Sequence, residues 1–204
     1  MTALAPHLSA FLHEHLPLER RASPNTCDAY AYSFQLLLVF AAGRLRRRPC
    51  EVEIEQLDAP LVLSFLKHLE AVRGNTPRTR NARLAAINGF FRYLEYRLPG
   101  CIDQARCIHA IPMKKADEPL IAYLTRPEPE ALLQAPDRST WPGIRDRAML
   151  HLTFAAGLRV SELVCLRADQ VEVGCDPVVR IMGKGRRGKR LNHGVDFRFR
   201  RDFV

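Results

Sequence analysis

One stretch of the sequence, residues 155–167 (AAGLRVSELVCLR), sets an arginine between two predicted helices. Gly157 is the residue type that ends a helix in the left-handed conformation, and Ser161 with Glu162 is typical of the start of a second helix. A guanidinium at Arg159 can bind two oxygens of one phosphate, while the carboxylate of Glu162 holds its orientation. The spacing therefore predicts a phosphate-binding arginine. Taken alone, the motif also fits a helix boundary with a surface arginine.

A second cationic stretch follows the first. Residues 178–182 (VVRIM) are rich in β-branched residues, and a turn around Lys184 leads into a basic run that includes Arg186 and Arg187 and ends at Arg190. This pattern predicts a β-hairpin with Lys184 at its tip. The alternative is a glycine-rich basic loop without a catalytic role.

The motif GLRVSELVCLR, preceded by a helix over residues 144–156 and followed by IMGKGRRGKR, resembles the tyrosine recombinase (phage integrase) family. The resemblance implies DNA cleavage by a tyrosine hydroxyl through a 3′-phosphotyrosyl link, with no metal or other cofactor. By resemblance, Arg159 matches the first catalytic arginine, Glu162 the acidic residue that supports it, and Lys184 the hairpin lysine. The arginine would stabilise charge on the phosphorane, and the lysine would protonate the leaving 5′-oxygen.

The remaining catalytic residues of the family have no counterpart in this sequence. The family has an HxxR pair, then a histidine or tryptophan, then a tyrosine, whereas the one histidine after Lys184 is His193 and no tyrosine follows Tyr123. Residues 191–204 also depart from the family's pattern, which favours a shifted reading frame or an early stop. We therefore expect a C-terminally truncated member that does not cleave DNA alone and that exposes apolar surface in its second domain.

The N-terminal half has three helix starts, each with a capping residue followed by proline: Ser23-Pro24, Asp58 before Pro60, and Thr76-Pro77. Gly43 and Gly74 are predicted to end the first two helices. Apolar residues recur at helical spacing in all three. Their predicted core positions are Tyr30, Phe34, Leu37, Leu38, Ala41, Leu61, Phe65, Leu66, Leu69, Val72, Leu84, Ile87, Phe91 and Leu94. Three helices on one core, after a loosely patterned start through Leu18, resemble the family's helical core-binding (SAM-like) domain.

Arginines cluster at the start of the third helix. Arg78, Arg80 and Arg83 are predicted to lie away from its apolar stripe, and cations at a helix N-terminus oppose the helix dipole. A bound anion would relieve that cost, so we expect phosphate contact rather than a merely solvated face. For the arginines of residues 44–48, at a helix C-terminus, a solvated basic turn is favoured over DNA contact.

These elements predict a mainly α protein with two domains. Residues 5–100 form a helical core-binding, DNA-binding domain, and residues 101–119, which contain Lys114 and Lys115, form a basic linker that either closes the domains on DNA or is a passive tether. Residues 120–204 form a partial mixed α+β recombinase catalytic domain with a short β-hairpin. Its first helix is expected after a capping box of Thr125 and Glu128.

The net charge of +9 and a pI near 9.6 favour an anionic partner, here double-stranded DNA. Arginine-rich coding bias is the alternative explanation of that charge. The six cysteines form no CxxC pair, so no metal site is predicted. The sequence has no signal-peptide pattern and no long apolar run, which predicts a cytoplasmic protein without membrane contact.

Two functions are compatible with these features. The first is a DNA-binding integrase of the kind carried by mobile elements, acting in DNA integration and recombination but catalytically incomplete. The alternative is a non-catalytic module that occupies recombination sites or binds full-length recombinase protomers.

Overall fold

The computed structural model describes residues 2–117, 123–125, 127–172, 178–182 and 188–192. The chain divides into two compact units, Met1–Pro119 and Leu120–Val204, each with its own hydrophobic core. The first is helical, and the described residues of the second combine helices with a small antiparallel sheet, as the sequence predicted. No helix in the described part of the chain is both long and apolar enough to span a membrane.

The first unit is built from five α-helices. They are α1 (Leu4–Ala10), which continues as a π-helix (Phe11–Glu19), α2 (Pro24–Leu45), α3 (Ala59–Ala71), α4 (Pro77–Glu95) and α5 (Ile102–His109). The three predicted helix starts are confirmed. The side chains of Ser23, Asp58 and Thr76 each accept a hydrogen bond from a backbone N–H in the first turn of α2, α3 and α4.

The helix ends differ from the prediction. Gly43 does not end α2, which continues to Leu45 and stops at Arg46, a non-glycine residue with a φ of 53°. Arg46 supplies the left-handed cap expected of the glycine, two helical residues later than predicted. α3 ends at Ala71, with Gly74 at a φ of 61° in the turn that follows. Val72, a predicted core residue, lies beyond that helix end and is exposed.

The core of the first unit is larger than three helices. The predicted stripe of α4 (Leu84, Ile87, Phe91 and Leu94) is fully buried. The N-terminal segment, predicted to be loosely patterned, packs on the same core through α1 and the π-helix. The ring of Phe11 meets those of Phe34 and Phe90 edge to face, at centroid distances of 6.2 and 5.3 Å.

The predicted linker over residues 101–119 is wrong for its first half. Residues Ile102–His109 form α5, and Ala105, Ile108 and Ile111 are buried in the core of the first unit. The amide of Gln104 donates to the carbonyl oxygens of Ile54 and Leu57, at 2.7 and 3.0 Å. Because these contacts bury the apolar face of an amphipathic helix, the segment belongs to the helical unit.

The second unit begins with two helices, α6 (Pro127–Gln134) and α7 (Trp141–Ala156), followed by the short α8 (Val160–Val164). The glutamate half of the predicted capping box is present, because Oε2 of Glu128 accepts from the N–H and the hydroxyl of Thr125; the N–H of Glu128 donates to the carbonyl oxygen of Thr125 instead of its hydroxyl. Three strands follow, β1 (Val171–Glu172), β2 (Val178–Met182) and β3 (Gly188–Asn192), paired antiparallel in the order β1-β2-β3. Met182 is opposite Gly188, so β2 and β3 are the two strands of the predicted hairpin.

Among the residues that the structure describes, the second core is small. Ala156, Leu158, Val179 and Ile181 are its buried members. Several large apolar side chains of α7 and α8 remain mostly exposed, namely Trp141, Phe154, Val160 and Val164. The predicted exposure of apolar surface is therefore confirmed within the described residues of this unit.

Candidate nucleic-acid interface and phosphate-binding motif

Arg159 is the N-cap residue of α8 and is held by Glu162 at two points. Its backbone N–H donates to Oε2 of Glu162 at 2.9 Å, and its Nη1 donates to Oε1 at 3.0 Å. The two side chains differ sharply in exposure, because 62% of the Arg159 side chain is accessible and only 8% of that of Glu162. The contact predicted between them is present. It leaves an oriented guanidinium open to an anion from solvent.

The backbone around Arg159 is fixed from both sides. Gly157, with a φ of 59°, ends α7 in the left-handed conformation that was predicted. Leu158 is buried with Val179 and Ile181 of β2, and its N–H donates to the carbonyl of Thr153 at 3.3 Å. Arg159 therefore begins α8 directly after a residue anchored on the sheet.

The hairpin cations lie outside the described residues. Lys184, Arg186 and Arg187 fall in residues 183–187, between the paired strands β2 and β3. The structure thus joins Arg159 to Glu162, while the role of the three hairpin residues stays a prediction.

The three arginines of α4 have different surroundings. Arg78 is exposed. Arg80 is 4% exposed, and its Nη1 donates to the carbonyl of Pro112 at 2.8 Å and to Oδ1 of Asn81 at 3.1 Å. The prediction that Arg80 lies away from the apolar stripe is wrong, because it precedes Leu84 by four residues and so shares the buried face of the helix.

Arg83 is half-buried and bridges two helices. Its Nη1 donates to the carbonyl of Ala29 at 3.2 Å and to Oγ of Ser33 at 3.0 Å, both in α2. Its guanidinium carbon also lies 4.9 Å from the centroid of the Tyr32 ring. Arg83 therefore serves packing between α2 and α4 as well as surface charge.

Two further residues beside Arg83, Tyr32 and Arg73, were not predicted from the sequence. Tyr32 is part-exposed, and its hydroxyl accepts a hydrogen bond from Nη2 of Arg73 at 3.2 Å. Tyr32, Arg73 and Arg83 form a cluster, here named the Tyr32 cluster, that joins α2, the turn after α3, and α4. One guanidinium over the ring of Tyr32 and another bonded to its hydroxyl give a preorganised cationic surface. The sequence pattern does not single out Tyr32, because the same predicted helix contains a second tyrosine, Tyr30.

The two lysines predicted to contact DNA are exposed at the end of the first unit. Nζ of Lys114 lies 2.8 and 2.9 Å from the two carboxylate oxygens of Glu70 on α3. Its neighbour Lys115 is exposed as well. Lys114 is therefore ion-paired and held against the helical unit.

Comparisons with known proteins give one family for both units. The profile of the phage integrase N-terminal SAM-like domain matches residues 8–97, and that of the phage integrase family matches residues 122–196. The putative integrase/recombinase y4rC of Sinorhizobium fredii is 44% identical over 91% of this chain, and tyrosine recombinase XerD of Pseudomonas putida is 35% identical over 94%. This chain covers 56% and 60% of those two proteins, so it spans little more than half their length.

A solved structure shares the fold. The XerH site-specific recombinase bound to its difH substrate, in a pre-cleavage complex, aligns with a TM-score of 0.56 at 20% identity, over 88% of this chain and 51% of XerH. The two family profiles together match most of the sequence, and the similar proteins named above are integrases or recombinases. The chain belongs to the phage integrase family, the tyrosine recombinases.

Proposed function

We propose that this chain binds double-stranded DNA as a site-specific recombinase of the integrase type, with different tasks for its two parts. Residues 5–100 bind the duplex, and residues 120–204 carry the part of the catalytic centre that grips the phosphate. The observation that carries the proposal is the arginine of the GLR motif, oriented by Glu162 and open to solvent. A DNA partner makes the cytoplasm the proposed location.

The proposed chemistry at Arg159 is electrostatic. A phosphodiester under attack gains negative charge on its non-bridging oxygens, and a guanidinium already fixed by Glu162 meets that charge without reorganising. By the family resemblance, Lys184 supplies the proton to the leaving 5′-oxygen. The nucleophile of the family is a tyrosine that follows the hairpin, and no tyrosine follows Tyr123 in these 204 residues. We therefore propose that the 204-residue chain binds DNA without cleaving it.

The proposed duplex-binding surface of the first unit combines Arg78 with the Tyr32 cluster. Arg78 lies in the first turn of α4, where a phosphate offsets the unfavourable position of a cation near a helix N-terminus, and the Tyr32 cluster adds cations from the second turn of α4 and the turn after α3. The XerH complex with its difH substrate supports DNA as the class of partner. Arg80 is left out of this surface because it is buried.

Salt dependence of DNA affinity tests this surface. Each phosphate contact contributes about one unit to the slope of log Kd against log salt concentration. We expect Arg78→Ala to lower that slope by about one unit and to weaken binding uniformly across duplex sequences. Arg92→Ala is the matched control, since Arg92 is exposed on the same helix about 20 Å further along. Equal slopes for the wild type and Arg78→Ala would remove Arg78 from the interface.

A nicked suicide duplex tests the absence of cleavage. Such a substrate loses the strand end that would reverse the reaction, so any phosphotyrosyl complex accumulates as a band stable to denaturant. We expect salt-sensitive binding and no such band with the purified chain. A covalent complex would show that a residue of this chain acts as nucleophile and would overturn the proposal of binding without cleavage.

A second candidate function is a non-catalytic module that joins full-length recombinase protomers. The exposed apolar side chains of α7 and α8, including Phe154, Val160 and Val164, favour it. Co-sedimentation of the chain with a full-length tyrosine recombinase on shared DNA tests this. Phe154→Ser should then weaken association, while no association at micromolar concentrations would eliminate the candidate.

A further inference from the structure

The segment that follows α5 folds back over the first unit. Ile111 is buried in the core, and the next residue, Pro112, gives its carbonyl oxygen to Nη1 of the buried Arg80 at 2.8 Å. Residues 111–114, here named the strap, thus run back to the first turn of α4. Hydrogen bonds to charged donors are stronger than neutral ones, so Arg80 fixes the strap at its middle.

Asn81 holds the end of the strap through both the nitrogen and the oxygen of its side-chain amide. Its Nδ2 donates to the carbonyl oxygen of Lys114 at 2.6 Å, and its Oδ1 accepts from the backbone N–H of Lys114 at 3.0 Å. A side-chain amide bonded to the N–H and C=O of one residue substitutes for a neighbouring strand. The backbone of Lys114 is therefore located by an uncharged side chain on α4.

Glu70 holds the side-chain ammonium group of Lys114 in place. Both carboxylate oxygens accept from Nζ, although 53% of the Lys114 side chain is accessible against 22% for Glu70. An exposed ion pair of this kind contributes little to stability. Its effect here is geometric, because it restricts a long side chain that otherwise has many rotamers.

This arrangement places Lys114 beside the proposed duplex-binding surface. Arg78 precedes Asn81 by three residues and so lies on the same face of α4, one turn closer to the N-terminus. The strap brings a lysine that is 33 residues away in sequence from Asn81 to this turn. A flexible loop and a flexible lysine side chain would lose conformational entropy on contacting a phosphate. Here both are already ordered in the free protein, so that loss does not weaken binding.

We propose that Asn81 and Glu70 are positioning residues that hold Lys114 in the nucleic-acid interface at the start of α4. This inference rests on the proposed function, since it names part of the same duplex-binding surface. Asn81 acts on the Lys114 backbone and Glu70 on its ammonium group. Neither residue touches DNA in this arrangement.

Removing the uncharged side chain of Asn81 gives the sharpest test. An asparagine releases no counterions, so Asn81→Ala changes the salt slope of DNA affinity only if it displaces a cation. We expect the full chain with Asn81→Ala to lose about one unit of slope, as Lys114→Ala does, and the double variant to lose no more than either. Asn88→Ala is the matched control, the same substitution two turns further along α4, and should keep the wild-type slope.

Hydrogen exchange of the Lys114 amide separates positioning from a general loss of structure. In Asn81→Ala this amide should exchange faster, while the amides of α4 keep their protection. Should Lys114→Ala lower the slope while Asn81→Ala leaves it unchanged, the positioning role is overturned. If neither changes it, Lys114 is not in the interface and the inference fails, although DNA binding by the wild type would stand. A wild-type chain without salt-dependent affinity would overturn the proposed function itself.

Discussion

At the scale of single residues, similar charges at one helix start have different environments. Arg78, Arg80 and Arg83 fall within two turns of α4, yet the first is exposed, the second buried and the third shared with α2. Residue type predicted a cationic surface for all three, which is wrong for Arg80; its four-residue offset from Leu84 places it on the buried face of the helix. Arg80 and Arg83 donate hydrogen bonds to Pro112 and Ser33, and no local sequence pattern links either of these acceptors to α4.

The left-handed conformation of Arg46 gives a prediction for a single residue. A side chain at a φ of 53° crowds the following carbonyl, so Arg46→Gly should stabilise the first unit by about 0.5–1 kcal/mol. The matched control is Arg44→Gly, in the last turn of the regular helix, which should destabilise by a similar amount. Urea unfolding followed by circular dichroism measures both. Destabilisation by Arg46→Gly would show that this side chain makes a contact that outweighs the strain.

At the scale of elements, the sequence predicted helix starts better than helix ends. Ser23, Asp58, Thr76 and Thr125 act within three residues of their own backbone, so a local pattern contains the whole interaction. Gly43 had the residue type of a helix end, but nothing in its neighbourhood forces a left-handed conformation there. The helix continues for two residues, and the second of them, Leu45, packs against the core, which is a tertiary effect.

Short elements were missed for a related reason. α1 has seven residues and α5 has eight, too few for an apolar period to stand out among prolines. Their burial comes from contacts far along the chain, such as Gln104 with Ile54. A segment of this length in isolation is not a stable helix, and the core supplies its stability.

The cap of α6 gives a prediction on pH. Hydrogen bonds from the backbone N–H and the hydroxyl of Thr125 hold the pKa of Glu128 below its ordinary value. A lowered folded-state pKa means that the cap is intact above the unfolded pKa and is lost as pH falls through the folded one. We expect amide exchange in residues 128–134 to accelerate in acid with a midpoint below that of an ordinary glutamate.

Glu128→Gln is the control for that measurement. Glutamine keeps an acceptor at the same position of the capping box but does not titrate in this range. The variant should retain α6 at neutral pH and lose the acid-dependent step. An unchanged step would assign the titration to another group.

At the scale of the whole molecule, the two units have unequal cores. The first buries residues from every one of its helices, and its large buried side chains include Phe11, Leu16, Phe34, Leu84, Ile87, Phe90, Phe91, Tyr93 and Leu94. In the described part of the second, the buried core consists of Ala156, Leu158, Val179 and Ile181. Apolar burial is the main favourable term in folding, so the first unit should be the more stable one.

Two leucine variants test whether each core supports only its own unit. Leu84→Ala truncates a fully buried side chain of α4, and Leu158→Ala truncates the buried side chain of the residue before Arg159. Buried leucine truncations cost about 2–5 kcal/mol. In hydrogen exchange at increasing urea concentrations, Leu158→Ala should open residues 152–164 at lower urea and leave α4 protected, and Leu84→Ala should do the reverse.

The outcome also bears on function. If Leu158→Ala leaves α4 intact, its salt-dependent DNA affinity should fall only by the share that the second unit contributes, because Arg78 and the Tyr32 cluster stay in place. If both variants open both units together, the chain unfolds as one cooperative body. The duplex-binding surface would then depend on the small core next to Arg159, and the two tasks proposed for the two units could not be separated by mutation.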